Sequence, residues 1–206
     1  MDSGRRRVGI MGGTFDPIHI GHLILAQSAW EQFSLEKVLV MPSGNPPHKR
    51  ERDGATNAQR IEMVRLAIAS NPHLTLSLEE MHDAGYNYTK ETLRRLRSKR
   101  PDTDYYFIMG ADSLLAFDSW NGPQEICDQC ILTVAVRDSM DSDTLDEAIR
   151  HVSEKYHADI RKLVTPNLDI SSHQIRTWIR EGRSVKYYLP DPVYAYILDK
   201  NIYGGI

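Results

Sequence analysis

The chain has 206 residues, enough for one large α/β domain and too few for two domains with separate cores. Lys and Arg number 25 against 28 Asp and Glu, a net charge of −3, which excludes a global basic field for gripping a nucleic acid polymer and leaves phosphate binding to a local pocket. The composition, 41% hydrophobic and 26% charged, is that of an ordinary globular protein, and no stretch approaches the apolar length of a membrane span.

Arg5 to Arg7 precede an apolar run too short for a secretory signal, so a cytoplasmic location is expected. Residues 7–11 (RVGIM) read as a first strand. After a glycine-rich turn, residues 21–33 carry Leu23, Ile24, Ala26, Ala29, Trp30 and Phe33 at helical spacing. Residues 37–41 (KVLVM) form a second strand, continuous in apolar residues as buried parallel strands are. The loop over 42–56 is long for an α/β connection and carries His48, Lys49, Arg50 and Arg52; its length and charge suit a lid over phosphate, or a solvated cluster.

A helix is expected over 57–70, a third strand over 74–78, a helix over 89–98, a fourth strand over 105–109 and a fifth over 131–136. A helix over 143–155, a sixth strand over 159–164 and closing helices over 172–181 and 191–200 complete the pattern. This alternation predicts a doubly wound α/β fold: a parallel sheet with helices on both faces and a small helical C-terminal part, about 166–206, in a single domain. Ligands of such sheets bind at the carboxyl ends of the strands, where the strand order reverses. Cys127 and Cys130 lack a second pair to complete a four-ligand zinc site and read as small apolar side chains before a buried strand.

The sharpest signal is Gly12-Gly13-Thr14-Phe15-Asp16-Pro17-Ile18-His19-Ile20-Gly21-His22. It leaves a strand and opens a helix. Glycine lets backbone approach a phosphate, and the unpaired N–H groups of the first helical turn attract anions. His19 and His22, three residues apart, share one side of that turn. A Walker A loop would need a terminal lysine with Ser or Thr, and a dinucleotide fingerprint would need a G-x-G-x-x-G spacing. Neither is present, which disfavours an NAD-dependent oxidoreductase. Late in the chain, Ile170-Ser171-Ser172-His173-Gln174-Ile175-Arg176 opens another helix, with Ser171 or Ser172 as the natural N-cap and Arg176 one turn in.

The first motif resembles the signature of the nucleotidyltransferases with the H-x-G-H motif, and the second is similar to their I-S-S-T-x-I-R element, with His173 where threonine is usual. The resemblance implies a Rossmann-like fold and nucleotidyl transfer from an NTP, usually with magnesium. Asn45-Pro46-Pro47-His48-Lys49, Tyr88-Thr89, and Met109-Gly110-Ala111-Asp112 followed by Trp120 narrow it to the nicotinate-nucleotide adenylyltransferases, as do Arg137 after the fifth strand and the tyrosine-rich C-terminus. Asn121 stands where many relatives have tyrosine.

This likeness implies ATP contacts from Gly12, Gly13, Thr14, Phe15, Gly21, His22, Gly110, Asp112, Ile170, Ser171, Ser172 and Arg176. It implies acceptor contacts from Asp16, Asn45, His48, Thr89, Trp120 and Arg137, with Trp120 stacking on the pyridine ring. His19, His22, Lys49 and Arg176 are the expected catalytic residues, and magnesium is expected to be held by ATP phosphates and water rather than by a protein cage. The expected partners are ATP and nicotinate mononucleotide. Nicotinamide mononucleotide or phosphopantetheine as acceptor, and a regulator that binds nucleotide without turnover, are the competing readings. Self-association through the C-terminus is left open by the sequence.

Overall fold

The computed structural model describes residues 4–44, 54–81, 87–136 and 142–204. Among them, six strands form one sheet in the order β3-β2-β1-β4-β5-β6: β1 (Arg6–Gly13), β2 (Lys37–Pro42), β3 (Leu74–Leu76), β4 (Thr103–Gly110), β5 (Ile131–Val136) and β6 (Ile160–Val164). Every neighbouring pair is parallel. The helices are α1 (Ile20–Gln32), α2 (Asn57–Ile68), α3 (Thr89–Lys99), α4 (Ala111–Leu115), α5 (Pro123–Cys127), α6 (Ser142–Tyr156), α7 (Ser172–Arg180) and α8 (Asp191–Asp199).

Each expected strand and long helix is present, with ends shifted by a few residues; the third strand stops at Leu76 rather than at 78. The short helices α4 and α5 have five residues each, too few for a 3.6-residue period to repeat.

Alternate residues of each strand serve opposite faces, because successive side chains of a strand point to opposite sides. On β4, Tyr105, Phe107 and Met109 join one apolar cluster, with Leu93, Leu96, Leu114, Ile126 and Leu145 from the helices α3 to α6. Tyr106 and Ile108 join the other, with Ala26, Ala29, Met63, Val64, Ile175, Ile179, Val193 and Ile197. The C-terminal helices α7 and α8 therefore share a core with α1 and α2. Burying one such side chain, for example Leu132 at 0% exposure, stabilises by about 1.5–3 kcal/mol.

The central strand β1 pairs with β2 on one side and β4 on the other. The chain winds away from this point in both directions, which opens a crevice at the carboxyl ends of β1 and β4.

Candidate active site

β1 delivers the chain into a turn that ends at His19, the N-cap of α1. The turn is pinned from beneath. Phe15 takes a left-handed backbone with φ of 50° and is 2% exposed, packed in the core. Arg60 reaches up from α2, whose start is fixed by a capping box between Thr56 and Gln59. It is 3% exposed. Its Nη1 donates to the Thr14 carbonyl at 2.5 Å and its Nη2 to the Ser43 carbonyl at 2.7 Å and to Asn57 Oδ1 at 2.6 Å. Arg60 thus ties the β1–α1 turn to the exit of β2. Burial pulls its guanidinium below the ordinary arginine value, and the Asp16 carboxylate pushes it back.

Asp16 is 8% exposed and Arg176 6%. Arg176 Nη1 donates to the Asp16 carbonyl at 2.6 Å. The Asp16 carboxylate accepts from the Ala55 N–H at 3.0 Å and from the Tyr203 hydroxyl at 2.7 Å. Ser172 donates from Oγ to the Pro17 carbonyl at 2.9 Å. Phe15, Asp16 and Arg176, each expected to contact a ligand, are buried in this structure and organise the turn. The reason is topological: α7 and the C-terminal turn pack beneath the β1–α1 turn, so their polar groups satisfy its backbone.

His19 and His22 stack, with ring centroids 3.6 Å apart and planes 27° from parallel. Phe15 meets His22 edge-on at 5.0 Å. The His19 backbone N–H donates to His22 Nδ1 at 3.2 Å, so a neutral His22 carries its proton on Nε2. Gly21 suits this packing, since a Cβ there would stand 3.1 Å from His19 Nδ1, a tight contact. Both rings sit at the N-terminus of a 13-residue helix, the positive end of its dipole.

A cavity of about 250 Å³ lies on these rings. From α1 it is lined by His19, Gly21, His22, Ile24 and Leu25, from β4 by Gly110 and from β5 by Ala135. Thr165, Pro166, Leu168, Ile170, Ser171 and Ser172 close the far side. Ser171 is the N-cap of α7, its Oγ accepting the Gln174 N–H at 3.2 Å. The two motifs, about 150 residues apart in sequence, thus meet in one cavity at the crevice where ligands of such sheets bind.

Other expected site residues lie outside this cavity. Asp112 is exposed in the first turn of α4, and Thr89 opens α3. Trp120 is half-buried against Phe117 and edge-on to Phe107. Gly12, Gly13 and Thr14 form the end of β1 and the start of the turn. Asn45, His48, Lys49, Arg50, Arg52 and Arg137 lie outside the described residues.

Sequence reasoning missed Arg60, Tyr203 and Asp118. Asp118, just before Trp120, accepts from Lys155 Nζ at 2.9 Å and the Tyr156 hydroxyl at 2.8 Å, and pairs with His151 Nε2 at 2.9 Å. Those donors, Lys155 first, hold its carboxyl well below the usual range. Cys130 is buried and Cys127 half-buried, consistent with packing roles. Among the described residues no cluster of three His, Cys, Asp or Glu is arranged to hold a metal ion, and no helix is long and apolar enough to cross a membrane.

The Cytidylyltransferase-like family model matches residues 10–178. The probable nicotinate-nucleotide adenylyltransferase of Lachnoclostridium phytofermentans is 41% identical over 198 residues, covering 96% of this chain and 99% of that one. Its counterpart in Synechococcus sp. strain JA-3-3Ab is 41% identical over 202 residues, covering 98% and 97%. In fold, the chain is similar to Plasmodium falciparum nicotinic acid mononucleotide adenylyltransferase, solved in complex with NaAD, with a TM-score of 0.80, 18% identity and 98% of each chain covered. The chain belongs to the Cytidylyltransferase-like family and, within it, to the nicotinate-nucleotide adenylyltransferases.

Proposed function

We propose that the chain transfers the adenylyl group of ATP to nicotinate mononucleotide, releasing pyrophosphate and forming the dinucleotide precursor of NAD. The observation that carries this reading is the stacked His19–His22 pair at a helix N-terminus, opening onto a cavity that Ser171 and Ser172 complete. Relatives with 41% identity over nearly the whole chain support the same activity.

The chemistry asks little of a general base. The attacking phosphate of the mononucleotide is already largely ionised near neutrality, since its second pKa is about 6. The obstacles are repulsion between polyanions and in-line alignment. His22, with its proton on Nε2, is a ready donor to the α-phosphate, where charge develops as pyrophosphate departs. His19 orients the phosphate chain from the same turn, aided by the α1 dipole. Arg60 and Arg176, two buried guanidiniums against the single carboxylate of Asp16, leave net positive charge beneath the turn. Lys49 completes the neutralisation of the leaving group in this reading.

Trp120 stacks on the pyridine ring in the same proposal, with Asn45, Thr89 and Arg137 around its carboxylate. Imidazoles and serine hydroxyls around the cavity suit phosphate more than a hard cation, which prefers several oxygen ligands. Magnesium would accordingly be held by ATP phosphates and water, where it would offset phosphate charge. A cytoplasmic location belongs to the same proposal.

The test is pyrophosphate release from ATP and magnesium with each candidate acceptor: nicotinate mononucleotide, nicotinamide mononucleotide and phosphopantetheine. The expected result is a kcat/KM highest for nicotinate mononucleotide. Equal or better turnover of another acceptor would overturn the acceptor assignment.

A further inference from the structure

Tyr203 lies in the turn after α8, and its backbone is left-handed, with φ of 76°. A residue with a Cβ holds that conformation only where neighbouring contacts impose it. Here the phenol hydroxyl donates to Asp16 Oδ1 at 2.7 Å, across 187 residues of sequence. The Ala55 N–H donates to the same oxygen at 3.0 Å. Gly54 fits the carboxylate closely on its other side, since a Cβ there would fall 2.3 Å from Oδ2.

The consequence concerns Arg176. Its Nη1 is 3.9 Å from Asp16 Oδ2, beyond hydrogen-bond reach, although it donates to the carbonyl of the same residue at 2.6 Å. A buried aspartate beside a buried arginine ordinarily closes to charge-assisted bonds of about 2.8 Å, often two-pronged. This pair does not: among the described residues, the two donors on Oδ1 draw the carboxylate the other way.

Resting on the adenylyl-transfer reading above, we propose that Tyr203 is a positioning residue for ATP: its phenol keeps the Asp16 carboxylate 3.9 Å from Arg176, so the ion pair stays loose and the carboxylate offsets only part of the guanidinium charge beneath the phosphate turn. The phenol is suited to this as a donor that stays neutral. Burial, and then the Asp16 carboxylate, push its ionisation far above the ordinary tyrosine value.

The experiment compares the wild type with Tyr203→Phe, Asp16→Asn and the double variant. It measures KM for ATP and for nicotinate mononucleotide, and the affinity of a nonhydrolysable ATP analogue by calorimetry. Tyr203→Phe should weaken analogue affinity and raise the ATP KM about tenfold, the scale of one lost hydrogen bond to a charged group, with the acceptor KM nearly unchanged. Adding Asp16→Asn should restore ATP affinity, because a neutral amide cannot cancel Arg176. A merely structural phenol would lower Tm and shift both KM values together, with no restoration by Asp16→Asn. That result, or wild-type ATP affinity in Tyr203→Phe, would overturn the inference. If Tyr203→Phe fails to fold, Asp16→Asn alone decides: analogue affinity above the wild type supports the inference and weaker affinity overturns it. Failure of the adenylyl-transfer reading looks different, as absence of pyrophosphate from the wild type with every acceptor, and leaves the calorimetric comparison valid.

Discussion

The backbone N–H of His19 donates to Nδ1 of His22 across 3.2 Å, so the first residue of the pair selects the tautomer of the second. In its neutral form His22 is therefore a donor from Nε2. His22→Ala should lower kcat about a hundredfold or more, near 3 kcal/mol of lost transition-state stabilisation, with Tm little changed because the ring lines a cavity. Steady-state kinetics beside a thermal melt check this, and wild-type turnover would remove His22 from the chemistry.

Arg60 joins the two segments that follow β1 and β2. Arg60→Met would strip the Thr14 and Ser43 carbonyls and Asn57 Oδ1 of their donor. The expected loss is about 3 kcal/mol, or roughly 6–12 °C in Tm for a chain of this size. Activity should fall further than stability alone explains, because the turn carrying His19 loses its support. Calorimetry and kcat measured well below the variant's Tm separate the two effects.

Glu80 supplies a pH signature outside the site. It is half-buried and accepts from the Thr92 hydroxyl at 2.9 Å, and burial pushes its carboxyl above the usual range. A raised folded value means that the fold binds the proton more tightly than the unfolded chain does. Its stabilising contribution is therefore complete below the ordinary carboxylate value and is lost as pH rises through the shifted one. Glu80→Gln should raise Tm at about pH 7 and converge with the wild type near about pH 4. Melts across that range would expose the reverse sign if the assignment is wrong.

The two thiols should be slow to react in the native protein. Burial pushes the Cys127 thiol up to about 11, and Cys130 higher still. The thiolate is the reactive form. A colorimetric disulfide reagent at about pH 8 should label neither quickly, and denaturant should release both. Rapid native labelling of Cys130 would contradict its burial.

The strand–helix alternation was legible because parallel strands covered on both faces read as continuous apolar runs, such as residues 37–41. The phosphate turn was legible because His19, Gly21 and His22 act within a single helical turn. The cap of α7 was legible as Ser171 or Ser172, and the structure assigns it to Ser171. The supports of the turn were not legible. Arg60 acts on a carbonyl 46 residues away, Arg176 on one 160 away and Tyr203 on a carboxylate 187 away. A buried arginine on an amphipathic helix has the same sequence appearance as a solvated one. Only packing shows that its fork is spent on backbone carbonyls.

The strand order has a consequence for synthesis on the ribosome. β1 finds its first neighbour early, since Val8 pairs with Lys37, but its other edge waits for Thr103 to pair with Arg6. Until then a nascent chain presents an unpaired, apolar strand edge to its surroundings, the kind of template that recruits foreign strands. Elongation between the emergence of β2 and that of β4 is therefore the stage at which shielding of that edge is expected to guard against misassembly.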